Sequence, residues 1–111
     1  MILKVNMFAV IDRENSVPSE TGRFLLPELV NSNADIFKGI YTPSNSSNLL
    51  DIFLIFESDD EKRIDALYFV FSKIIREQNG YTAKYLLEKK KRLDYGRFKL
   101  ITTLDGGGVE V

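Results

Sequence analysis

The side chains able to do chemistry in this chain are acids, lysines, arginines and tyrosines. Histidine and cysteine are both absent from its 111 residues. Their absence removes Ser-His-Asp and Cys-His catalysis, imidazole and thiolate metal ligands, and the side chain that ordinarily titrates near neutral pH. General acid–base work would fall to carboxylates, Lys or Tyr with shifted pKa values. The nearest thing to a catalytic constellation is Glu88-Lys89-Lys90 with Asp51 upstream. Some metal-dependent nucleases join such a Glu-x-Lys pair to an Asp on a neighbouring strand. These are common residue types at loose spacing, and a plainer account is available. Glu88 then pairs with the lysines beside it, and Asp51 satisfies a donor at a strand end. No Walker, dinucleotide or nucleophile-elbow glycine motif occurs, so no catalytic residue and no cofactor is expected.

The densest acidic cluster is Glu57, Asp59, Asp60 and Glu61. Several carboxylates at short range suit a divalent ion. The alternating ligands and glycine of a calcium loop are missing, however, and acids placed there also favour the positive end of a helix. No metal is expected. The densest basic run is Lys84, Lys89, Lys90, Lys91, Arg92, Arg97 and Lys99, opposed only by Glu88 and Asp94 and interleaved with Tyr81, Tyr85, Tyr95 and Phe98. Cations for phosphates and aromatics for stacking are how single-stranded nucleic acid is held. Lysines on a strand also serve to block sheet-to-sheet aggregation. Charge is split along the chain: residues 1–66 carry 11 acids and 6 bases, and residues 67–111 carry 5 acids and 9 bases. Such a dipole suits oriented docking on a partner better than adhesion to a polyanion.

Elements must position these groups, and the apolar pattern supplies them. Ile2 to Ile11 reads as a strand, followed by a polar loop over residues 12–22 that is longer than most connections. Residues 23–30 are ambiguous around Pro27, which fits either the first turn of a helix or an edge strand. Residues 36–41 suit a short strand, 42–48 a hairpin loop, and Leu49 to Phe56 a strand covered on both faces or central in its sheet. Ser58 and Glu61 match a capping box. Beyond it Ile64, Leu67, Tyr68, Phe71, Ile74 and Ile75 share one helical face, and Asn79-Gly80 supplies a left-handed cap. The helix spans about residues 59–78. Residues 81–92 alternate at strand period, though a modest helix also fits, and with 97–104 they suggest a hairpin about Asp94-Tyr95-Gly96. Phe53, Phe56, Tyr68, Phe69 and Phe71 are expected in the core. Gly106 to Gly108 reads as a hinge before a short edge strand or tail.

The sum is a single α+β domain over residues 1–111, with an antiparallel sheet of four or five strands and one long helix on a face. No basic leader precedes an apolar run and no segment has the apolar length of a membrane span, so a cytoplasmic protein is expected. The short, Asn/Ser/Lys-rich, cysteine-free style is similar to small accessory proteins of bacteria and phages, such as immunity proteins and inhibitors of host defence. That resemblance implies a non-catalytic protein that blocks or modulates a partner protein: a toxin, a nuclease or a host factor. A basic partner would meet Asp12, Glu14, Glu20, Asp59 and Asp60, and an acidic one would meet the 84–99 hairpin. The alternative is a nucleic-acid-binding module using that hairpin, and a homodimer is compatible with either.

Overall fold

The structure, a computed structural model, describes residues 1–12, 17–18, 28–45, 51–80 and 84–102. It is an α+β arrangement: an open five-stranded antiparallel sheet with one main helix. The sheet comprises β1 (Ile2–Asn6), β4 (Phe37–Pro43), β5 (Phe53–Glu57), β6 (Leu87–Lys90) and β7 (Phe98–Thr102). Their order across the sheet is β6-β1-β5-β4-β7. Two short strands, β2 (Ile11–Asp12) and β3 (Val17–Pro18), pair separately. β3 and Asp12 of β2 fall inside the 12–22 stretch expected to be a plain loop, and Ile11 ends the stretch expected as a strand.

β5 is the central strand, and its Phe53-Leu54-Ile55-Phe56 run is buried at every position. Alternate side chains point to opposite faces, so an unbroken apolar run requires cover on both sides. The long helix, Glu61–Asn79, supplies one cover. It lies over β1, β6 and the 3-10 turn Met7–Val10. Its face of Ile64, Leu67, Phe71, Ile74 and Ile75 is fully buried and Tyr68 partly so, packed with Leu3, Val5, Leu54 and Phe56. The other face carries a smaller cluster of Ile2, Phe53 and Ile55 under Tyr41, Leu93, Tyr95 and Phe98.

Local chemistry sets the boundaries. β1 stops at Asn6 because its side-chain oxygen accepts from the backbone N–H of Phe8 and Ala9, at 2.9 and 3.2 Å. That Asx-type bond turns the expected longer strand into a 3-10 turn. The helix begins at Glu61, two residues later than expected. Ser58 is not the cap: its hydroxyl accepts from the Asp60 N–H, and Asp60 takes the cap position, accepting from the Lys62 N–H at 3.1 Å. A carboxylate gains more than a hydroxyl from the positive end of the helix. At the other end Gly80 adopts φ 78° and donates to the Arg76 carbonyl, as the Asn79-Gly80 pair predicts. β4 reaches its partner through a bulge between Phe37 and Gly39, where Gly39 sits buried at φ 123°, a conformation strained for any other residue. Residues 28–32 are helical, resolving that part of the ambiguous 23–30 stretch.

The expected hairpin is overturned as well. β6 and β7 do not form a hairpin; they lie at opposite edges of the sheet, β6 on β1 and β7 on β4. Residues 91–97 carry the chain between those edges beneath the sheet, on the face away from the helix. Four strand spacings of about 4.8 Å make roughly 19 Å, and eight residue steps of about 3.3 Å reach roughly 26 Å, so the crossing is nearly direct. Two forces favour this strap over a hairpin. A hairpin would set Lys89 to Arg92 against Arg97 and Lys99, and like charges across strands repel. The strap instead lays Leu93 and Tyr95 on Ile2, Phe53 and Ile55. Both are partly buried there, so each contributes a part of the about 1.5–3 kcal/mol that full burial of a large apolar side chain brings. The expected hinge and tail at 106–111 lie outside the described residues.

Candidate functional site

The strap divides the basic run. Lys89 points to the helix side, where its ammonium pairs with Asp65 at 2.7 Å and lies 5.2 Å from the centre of the Tyr68 ring. Arg97 lies 3.4 Å from the Asp94 carboxylate. Lys90 is half-buried beside the strap, while Lys84, Lys91, Arg92 and Lys99 are exposed. The seven cations therefore occupy the turn before β6, both edges and the crossing between them, and no single hairpin presents them. Of the acidic candidates, Asp59 and Asp60 are exposed at the start of the long helix, with Asp60 engaged as its cap. Glu14 and Glu20, and the side chain of Asp12, lie outside the described residues.

Asp51, Glu88 and Lys90 do converge electrostatically, around a residue that sequence reasoning passed over. Lys4 is half-buried on the strap face of β1, directly across from Glu88, with its ammonium 4.2 Å from the centre of the Phe53 ring and 5.8 Å from that of Phe98. Burial lowers its pKa; Glu88 and Asp51 pull it back up, and Lys90 pushes it further down. Lys89 goes the other way, because its hydrogen bond to Asp65 holds the proton. Among the described residues no three His, Cys, Asp or Glu side chains are placed to hold a metal ion.

Lys4 should therefore titrate below the ordinary lysine value of 10.5, and Lys89 above it. The unfolded chain binds the Lys4 proton more tightly than the folded one does. That burial penalty is fully present at neutral pH and is relieved as pH climbs toward 10.5. Side-chain resonances followed through a pH titration would show the order, and Glu88→Gln should lower Lys4 further. A Lys4 resonance titrating at or above 10.5 would contradict the placement.

The strap is fastened by Tyr95. Its hydroxyl donates to the Glu57 carboxylate at 2.8 Å, and its ring lies 5.5 Å from Tyr41. Asp94 accepts from the Gly96 N–H at 3.1 Å and starts a 3-10 turn over Tyr95–Arg97. Between this turn and the end of β4 an open cleft of about 610 Å³ is lined by Pro43, Asn45, Lys90, Leu93 and Phe98 among others.

The two sheet edges differ in kind. β6, Leu-Glu-Lys-Lys, buries its leucine and spends its other positions on charges, one of them tied to the helix. That is a defended edge. β7, Phe-Lys-Leu-Ile-Thr, has one charge, and its Leu100 and Ile101 are each 51% exposed. Among the described residues no strand pairs with its outer side. Phe69, expected in the core, is also exposed, on the outer face of the helix under Lys73. β7 was visible in the sequence as an apolar run, but which strand ends the sheet depends on pairings between distant segments. Among the described residues no helix is long and apolar enough to cross a membrane. Compared with protein-family models, with curated proteins and with solved structures, the chain finds no match, so the chemistry of these two edges and of the strap face is what bears on its role.

Proposed function

We propose that this chain is a small cytoplasmic binding protein that docks stoichiometrically on another protein and covers a working surface of that partner. The observation that carries this reading is the β7 edge, where two large aliphatic side chains stand in water on a strand whose outer side has no described partner. Exposed apolar edges invite aggregation and are normally blunted, as β6 is in this same sheet. An edge left open while the opposite edge of the same sheet is defended marks a place where something docks. The uneven charge along the chain adds orientation to the encounter.

The test is a stoichiometric complex isolated from the source cells on tagged chain and resolved by size. Leu100→Lys with Ile101→Lys should abolish it while moving stability by no more than about 0.5 kcal/mol, as befits exposed positions. Recovery of RNA or DNA in place of a protein would replace this reading with the nucleic-acid one. Affinity for a single-stranded oligonucleotide would then fall steeply with salt and would rest on the exposed Lys84, Lys91, Arg92 and Lys99.

A further inference from the structure

The geometry points to the kind of partner element β7 accepts: an extended strand of alternating acidic and apolar residues, added antiparallel to its outer edge. This deepens the docking reading above and rests on it. Three features of β7 select that occupant.

The first is the backbone. β7 is bonded to β4 in unbroken register over Phe98, Lys99 and Leu100, and the register shifts past Ile101 before Thr102; the outward groups of the regular part, Phe98 to Leu100, are aligned to receive a sixth strand about 4.8 Å away.

The second is the pattern of side chains. Phe98 faces Pro43 and Leu100 faces Tyr41 in register, placing them on the strap face beside an apolar floor, while Lys99 faces Thr42 on the other side. An incoming strand would therefore want apolar residues level with Phe98 and Leu100 and an acid level with Lys99. Cross-strand pairs of that kind stabilise by roughly 0.2–1 kcal/mol each.

The third is charge, which separates a foreign strand from a second copy of this chain. Residues 97–102 contain no acid; Lys99 is exposed on the strand, and Arg97, 3.4 Å from the Asp94 carboxylate, precedes it. Self-pairing about Leu100 would set each Lys99 against an Ile101 and bring two edges of the same sign together. An acidic strand meets no such penalty.

The experiment is a titration of the intact, isotope-labelled chain with five-residue peptides matched to the length of β7, followed residue by residue by NMR. The acidic peptide is Val-Glu-Val-Glu-Val; the controls replace its glutamates by lysine or N-methylate alternate amides. The acidic peptide should shift amides of residues 98–102 and of β4, at up to about 1 mM, the weak end of specific binding. Protection of the outward amides of β7 from exchange should rise about tenfold, the equivalent of roughly 1.4 kcal/mol. Both controls should fail, and Lys99→Glu should lose the acidic peptide and gain the lysine one. Shifts elsewhere, no shifts, or equal binding of the two charge types would overturn the proposal. So would a dimer of the chain itself, seen by sedimentation and lost in Leu100→Lys. If the peptides fail while Leu100→Lys still releases the cellular partner, strand addition is wrong and docking stands. If the peptides bind while the cellular complex ignores the substitution, the docking reading fails and the strand chemistry stands.

Discussion

Phe56→Ala should cost about 3–5 kcal/mol, the range for emptying a buried aromatic site. Phe56 is fully buried in the central strand, with the Phe37 ring 5.1 Å away and the Phe71 ring 5.7 Å away. It therefore joins β4, β5 and the helix at one point. Neither neighbour can collapse into the space easily, because Phe37 is held beside the bulge and Phe71 by its own helix. Domains of this size hold about 5–15 kcal/mol in all, so the loss is a large share of the total. Urea unfolding checks it: the midpoint should fall sharply at nearly constant slope. A loss under about 1 kcal/mol would mean that this ring is not buried as described.

The second large effect belongs to the strap. Tyr95→Ala should cost about 3 kcal/mol, from lost apolar burial and a hydrogen bond to a charged acceptor. Tyr95→Phe, which keeps the ring, should cost about 1 kcal/mol. The two variants separate packing from the bond to Glu57. They also differ from the wild type in alkali. Burial and then the Glu57 hydrogen bond raise the Tyr95 pKa above its ordinary value of 10.0. The stability tied to that proton is complete below pH 10.0 and is lost as pH climbs past it, since the unfolded chain then gives up the proton first. The advantage of the wild type over Tyr95→Phe should therefore shrink above pH 10. A Tyr95→Ala protein within about 0.5 kcal/mol of the wild type would show that the strap does not hold that face.

What the residues announced and what they concealed divides along physical lines. The helix was legible because its spacing is local: six positions on one face need a helix, and Asn79-Gly80 ends it. β5 was legible because an unbroken run of Phe, Leu and Ile has no solvent face to offer. Ser58 misled because the cap pattern fits two starting points, and the charge on Asp60 decides between them. The hairpin misled for a deeper reason. Asp94-Tyr95-Gly96 has the same local chemistry whether it closes a hairpin or caps a 3-10 turn in a crossing strap. The choice lies with Ile2, Phe53 and Ile55, far away in sequence, whose exposed face needs a cover. The candidate docking edge was hidden by the same route, because the hairpin error moved β7 from the β4 edge to the side of β6.

The order of the strands also sets a schedule. Lys4 is flanked by Ile55 on one side and Glu88 on the other, so the first strand of the sheet finds both its partners only after most of the chain exists. β4 and β5, neighbours in sequence, can zip early, whereas β1 must wait between them and a strand made much later. Loops that long are closed before their contacts return any energy, which makes folding slower than for a helical bundle of this size. During that interval the apolar β1 and β5 are both open, and a growing chain on the ribosome stands to gain from something that shields them. The same interleaving has a benefit once it is complete. Fraying β6 alone exposes β1 but leaves it paired with β5, so the sheet opens from its rim inward and its centre is the last part to be released.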